Sequence, residues 1–124
     1  MEVSLVITGI DHVQLAMPRG QEDAARAFYA GLLGMSELAK PSALVVRGGC
    51  WFTSGAAAVH LGVEEPHAPA RKAHPALLVD DLDGLSAVLT AAGYACVRAD
   101  GEIPGIRRFY THDPFGNRVE FQQA

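Results

Sequence analysis

Three histidines and a glutamate, His12, His60, His74 and Glu120, are the residues in this chain whose types and spacing could do chemistry together. Imidazole nitrogens and a carboxylate oxygen are donors for a borderline divalent ion such as Zn, Fe, Mn, Ni or Co, and no thiolate is placed to compete. Along a strand successive side chains point to opposite faces, so parity tells which residues share one. In Ile7–Met17 the apolar set is Val13, Leu15 and Met17, which leaves His12 and Gln14 opposite. In Ala57–Val63 the apolar set is Val59, Leu61 and Val63, and His60 lies opposite. In His74–Val79, Leu77 and Val79 share a face and His74 has the other parity. In Arg118–Gln122, Val119 and Phe121 are apolar, and Glu120 lies opposite with Arg118 and Gln122. His12 and His60 are 48 residues apart, His74 and Glu120 46. A lone strand histidine is usually a surface or hydrogen-bonded residue. The shared parity and the repeated spacing make these four a candidate metal site, with coordination positions open for substrate oxygens and water.

The elements that must position them occur twice. A strand over Ile7–Met17 is broken by Pro18-Arg19-Gly20. Ala25, Phe28, Tyr29 and Leu32 then fall on one helical face between Asp23 and Leu33, and Gly34 stops the helix. Strands are predicted over Ala43–Arg47, Cys50–Thr53 and Ala57–Val63, parted by Gly48-Gly49 and Ser54-Gly55. A polar, proline-containing linker, residues 64–72, follows. The pattern then restarts. His74–Val79 is a strand, Asp81 caps a helix from Leu82, and Leu85, Val88, Leu89 and Ala92 form its apolar face. Gly93 ends it before strands over Tyr94–Arg98, Ile106–His112 and Arg118–Gln122. The chain is expected to be one α+β domain, residues 1–124, made of two β-α-β-β-β modules, 7–63 and 73–124. Neither module can bury its helix-covered sheet alone, so the two must pack together, within the chain or with another chain. If the two sheets curl toward each other, the four donors converge inside a cup.

With 124 residues, 49 % of them apolar, the chain can bury a real core. The net charge is −4 and the basic residues are scattered, which excludes a nucleic-acid or membrane-surface footprint. No apolar run is long enough for a transmembrane helix. The opening MEVSLVITGI has no basic region or cleavage site, so no signal peptide is expected and the location is read as cytoplasmic. Cys50 and Cys96 are accordingly expected to be reduced.

Around the donors, parity places Gln14, Trp51, Arg108 and Tyr110 as candidate substrate-binding residues. Arg107 and Arg108 are adjacent, so only one can face the cup, and Arg108 shares parity with Tyr110. An arginine there could hold an anionic group or be a solvated rim charge. Trp51 and its neighbour Phe52 take opposite faces. Glu64 and His67 could rim the site but are read as a solvated loop, and His112 as structural.

Four segments resemble the vicinal-oxygen-chelate superfamily, the glyoxalase, bleomycin-resistance-protein and extradiol-dioxygenase group. They are I-D-H-V-Q-L-A-M (Ile10–Met17), A-R-A-F-Y-A-G-L-L-G-M (Ala25–Met35), A-H-P-A-L-L-V-D-D-L-D (Ala73–Asp83) and D-P-F-G-N-R-V-E-F (Asp113–Phe121). The resemblance covers nearly the whole chain. It implies paired βαβββ modules forming a U-shaped cup around a metal, with helices on the outer face. It also implies a homodimer whose sites are shared between chains, and a small-molecule substrate. Carried over, His12 and His74 match the first-strand ligands and Glu120 the last-strand carboxylate. His60 stands where glyoxalase I enzymes carry a glutamate, and is a fourth ligand, a general base beside the metal, or neither. The implied activity is metal-dependent isomerase, lyase, dioxygenase or resistance-transferase chemistry, with His60 and Glu120 as the catalytic candidates. The alternative is a metal-free, antibiotic-sequestering protein of the bleomycin-resistance type.

Overall fold

The computed structural model describes residues 4–124. Its strands form two four-stranded mixed sheets, one from each half of the chain. The first contains β1 (Val13–Met17), β2 (Ser36–Leu38), β3 (Cys50–Ser54) and β4 (Ala57–Val63) in the order β1-β4-β3-β2. The second contains β5 (Ala76–Val79), β6 (Val97–Arg98), β7 (Arg108–His112) and β8 (Arg118–Gln123) in the order β5-β8-β7-β6. The first strand of each module runs parallel to the last, and the other pairs are antiparallel. The α+β, doubled βαβββ architecture follows directly from the repeated pattern.

Each module carries a helix between its first two strands. In the first, α1 (Glu22–Ala25) widens into a π-helix over Arg26–Leu32, closed by a bond from Leu33 N–H to the Phe28 carbonyl at 2.9 Å. Phe28 and Tyr29 are fully buried on it. In the second, Asp81 caps α3 (Leu82–Ala91) by accepting from Gly84 N–H at 3.0 Å. Here the expected apolar face needs correcting. Leu82 and Leu89 are buried and Leu85 is half-buried, but Val88 and Ala92 face outward. The core stripe starts one turn earlier because Leu82 enters it.

Two other expectations change. The segment Ala43–Arg47 is not a strand. Pro41 opens a short helix, α2 (Ser42–Val45), and Ser36–Leu38 pairs with β3 in its place. The first ladder starts only at Val13, opposite Val59, although β4 itself begins two residues earlier at Ala57. His12 and His74 therefore lie just ahead of β1 and β5 rather than within them.

One face of each sheet is apolar and meets a common core that holds Met17, Phe28, Phe52 and Leu61 from one module with Leu89, Phe109, Val119 and Phe121 from the other. Burying each such side chain is worth about 1.5–3 kcal/mol. A buried polar latch joins the modules. The Asp113 carboxylate accepts from Tyr29 O–H at 2.7 Å and from Asn117 Nδ2 at 2.9 Å, and Asn117 also donates to the Ala16 carbonyl at 2.7 Å. Backbone N–H groups of Phe115 and Asn117 donate to the same carboxylate at 2.9 Å each. This accounts for the D-P-F-G-N turn.

Candidate metal centre

The opposite face of each sheet carries the candidate site, and the two faces match position for position. In the first sheet one row runs Leu38, Trp51, His60, Gln14. In the second the row is Val97, Tyr110, Glu120, Ala76. His12 precedes Gln14 by two residues and His74 precedes Ala76 by two, so His12 corresponds to His74, His60 to Glu120, and Trp51 to Tyr110.

In the second module His74 Nε2 lies 2.9 Å from Glu120 Oε1. Two adjacent ligand atoms on an ion with bonds of about 2.0–2.2 Å are separated by roughly 3 Å, so this pair already has ligand spacing. The other ring nitrogen, Nδ1, lies 2.7 Å from the Lys72 carbonyl. A carbonyl oxygen only accepts, so Nδ1 carries a proton. A neutral His74 would then aim the Nε2 lone pair at a carboxylate. That approach calls for a cation shared between them, a second proton or a metal ion. A backbone carbonyl behind a histidine is also the usual device for orienting a ligating imidazole.

Glu120 is almost fully buried. Burial opposes its charge, yet hydrogen bonds from Gln122, His74 and Arg108 outweigh it and hold the carboxyl below its ordinary pKa. Gln122 Nε2 donates to Oε2 at 2.6 Å and Arg108 Nη1 at 3.4 Å. Arg108 also pairs with Glu102 at 2.8 Å. The Tyr110 ring stands edge-on to His74, with centroids 5.2 Å apart, and the Arg118 guanidinium lies over it at 4.1 Å. Arg108 therefore faces the site, whereas Arg107 turns away to Asp83.

In the first module three rings stack. His60 lies between Trp51, at a centroid distance of 4.2 Å, and His12, at 4.0 Å. Asp11 Oδ2 accepts from His12 Nδ1 at 2.8 Å, which leaves Nε2 free. A metal lies in the plane of an imidazole that ligates it, and two parallel planes 4 Å apart share no such point. One ring must turn before both can hold the same ion. His12 is the freer, being more exposed and outside the ladder. Burial, and then the neighbouring His12, lower the proton affinity of His60.

Within one chain the four donors stand as these two pairs. Among the described residues no group of three His, Cys, Asp or Glu side chains gathers in metal-holding geometry. An open cleft of about 620 Å³ has both His12 and His74 in its wall, with Ile10, Val13, Ala57 and Leu77. Gln14 and Trp51 line a smaller cavity beside His60. The sequence reading missed the support given by Gln122, although its parity with Glu120 was visible. It also missed the Lys72 carbonyl, which no side-chain pattern encodes. His67 is not a solvated loop residue. Its Nε2 lies 2.7 Å from the Phe115 carbonyl, tying the linker to the Asp113 turn. His112 is exposed.

Two sheets, each with one apolar face in a shared core and one face bearing polar and ligand-type side chains, define a glyoxalase-like fold. Residues 9–121 match the family model of the Glyoxalase/Bleomycin resistance protein/Dioxygenase superfamily, and the chain belongs to that superfamily. A solved glyoxalase-family protein of Bacillus anthracis is 46 % identical, with a TM-score of 0.91 over 98 % of both chains. The fosfomycin resistance protein FosX of Listeria monocytogenes is 14 % identical, with a TM-score of 0.75 over 96 % of this chain and 95 % of its own. Lactoylglutathione lyase of Agrobacterium tumefaciens is 21 % identical, with a TM-score of 0.74 over 96 % of each. The last two likenesses concern the fold alone. No curated protein matches. No helix among the described residues is long and apolar enough to cross a membrane.

Proposed function

We propose that this protein is a metal-dependent enzyme that binds a small substrate through two of its oxygens at a divalent ion held by His12, His60, His74 and Glu120. The observation that carries this reading is His74, which faces hydrogen-bond acceptors at both ring nitrogens, one of them the buried Glu120 carboxylate.

The doubled half-site supports an assembly of two chains, with module one of each facing module two of the other. The outer edges of β1 and β5 have no neighbouring strand among the described residues. Leu5, Val6, Ile7 and Ile10, just before β1, are exposed, as a segment to be covered by a partner would be.

When bound, the ion supplies Lewis-acid polarisation of the substrate oxygens. The chain's own residues do the rest. Gln122 and Arg108 keep Glu120 ionised and fixed. Trp51 holds the His60 ring upright. Where His60 does not ligate, its neutral imidazole can take a proton from the substrate. Tyr110 and Arg108 wall the second half.

Metal analysis of protein purified without chelator, and after reconstitution with Zn, Mn or Fe, tests the reading. Wild type is expected to bind stoichiometrically and the His74→Ala and Glu120→Gln variants to lose the ion. Equal trace metal in all three would sink it. A second reading, a metal-free antibiotic-binding protein, draws on the Trp51–His60–His12 stack, a flat aromatic wall of the kind that holds planar ligands. Tight drug binding to chelator-treated protein, unchanged in His74→Ala, would favour it.

A further inference from the structure

A small cavity lies beside Trp51, the ring that stacks on His60. About 180 Å³ in volume, it is lined by Gln14, Lys40, Leu44, Arg47, Trp51 and Val63 among others, and no carboxylate lines it. At about 30 Å³ per water, that space takes a carboxylate or phosphate group with part of the body attached. Five of the eight arginines face carboxylates. Arg19 faces Glu65, Arg26 faces Asp23 and Glu37, Arg98 faces Asp83 and Asp100, Arg107 faces Asp83, and Arg108 faces Glu102 and Glu120. Lys40 and Arg47, like Arg71, Lys72 and Arg118, have no such partner among the described residues, but they alone of these five share the wall of this cavity. Lys40 is not loosely placed, because its ammonium donates to the Gly48 carbonyl and so ties together the ends of the loop that carries α2. Glu22 reaches the rim at Gly48 without pairing with either cation, so two cations at one cavity attract an anion from outside.

The cavity adjoins the candidate metal centre. Trp51 forms its wall and stacks on His60, and Gln14 sits opposite His60 in the β1–β4 ladder. We infer that Lys40 and Arg47 form an oxyanion subsite, so that the substrate of the proposed centre is a small organic anion, a carboxylate or a phosphate ester, whose charged end occupies this cavity while its vicinal oxygens point toward His60. The substrate assignment rests on the metal-enzyme reading; the subsite does not.

Trp51 is the single tryptophan of the chain, so its fluorescence reports on this cavity directly. Chelator-treated full-length protein is titrated with inorganic phosphate and, separately, with acetate. A saturable change in Trp51 emission is expected with at least one, and the preferred anion tells which ester or acid class to pursue. Arg47→Ala and Lys40→Gln should each weaken binding about tenfold, Arg47→Lys should recover part of the loss, and Arg19→Ala should change nothing. Circular dichroism confirms that each variant is folded. No saturable response to either anion, or a response equal in wild type, Arg47→Ala and Lys40→Gln, overturns the subsite. Metal content measured on the same variants separates the two ideas. If anion binding is lost while metal binding is kept, both stand. If anion binding is normal in a protein that takes no metal, the subsite stands and the metal-enzyme reading falls.

Discussion

His74 concentrates the residue-scale argument, because one imidazole set between a backbone carbonyl and a buried carboxylate requires positive charge there. The support of that carboxylate can be tested without touching a ligand. Gln122→Ala removes the 2.6 Å bond to Glu120 and is expected to weaken metal binding about 10–100-fold, measured by competition with a chromophoric chelator. The candidate ligands and their Gln14, Trp51, Arg108 and Tyr110 neighbours were legible because strand parity sorts side chains by face. Lys40 and Arg47 were not. Arg47 was read into a strand that does not form, and only the turn of the segment between β2 and β3 brings both to one cavity with Gln14 and Trp51. Tyr29 was legible as a core residue but not as the donor to Asp113, a contact 84 residues away in sequence. Tyr29→Phe keeps the ring and is expected to cost about 1–3 kcal/mol in urea unfolding, because the buried carboxylate loses a donor.

At the scale of elements, the doubled order of strands and helices could be read from periodicity and glycine punctuation. What could not be read was which segment wins a given place in the sheet. Ala43–Arg47 has strand-like composition, but Ser36–Leu38 takes the edge beside β3, leaving the later segment to coil into α2. Helix α3 shows the same limit, since its periodicity placed Val88 and Leu89 on one face and packing separates them. Leu89→Ala is expected to cost about 2–5 kcal/mol, whereas Val88→Lys should stay within about 0.5 kcal/mol of wild type in the same urea assay. Gly49→Ala should be severe. Its φ of +85° disfavours a side chain, and a Cβ there would strike the Leu61 carbonyl of the neighbouring strand. Reduced expression or a sharply lower midpoint for this variant checks the claim.

At the scale of the whole molecule, the proposed site would be shared between two chains, and mixing variants tests that. A chain with His12→Ala and His60→Ala has a dead first module, and one with His74→Ala and Glu120→Gln a dead second. Each alone should bind no metal. After unfolding and refolding together, about a quarter of the wild-type metal content should return if sites form between chains, and none if they form within one. Stability should also depend on pH in a definite sense. Burial pushes the Cys50 thiol up to about 11 and, with Asp113 beside it, raises the Tyr29 hydroxyl well above 10. The folded state keeps protons that the unfolded chain releases from about pH 9 upward. Stability is therefore full below that pH and falls above it, a slope that urea midpoints between pH 8 and 11 measure. The correspondence of His60 with Glu120 has a last consequence, in formal charge. Two histidine–glutamate pairs would neutralise a divalent ion. Three neutral imidazoles and one carboxylate leave about one unit of positive charge on it. In the proposed centre, an imidazole at position 60 would thus make ion and neighbouring cations together a stronger trap for an anion. His60→Glu should cancel that surplus, tightening the grip on the metal while loosening the hold on a charged substrate.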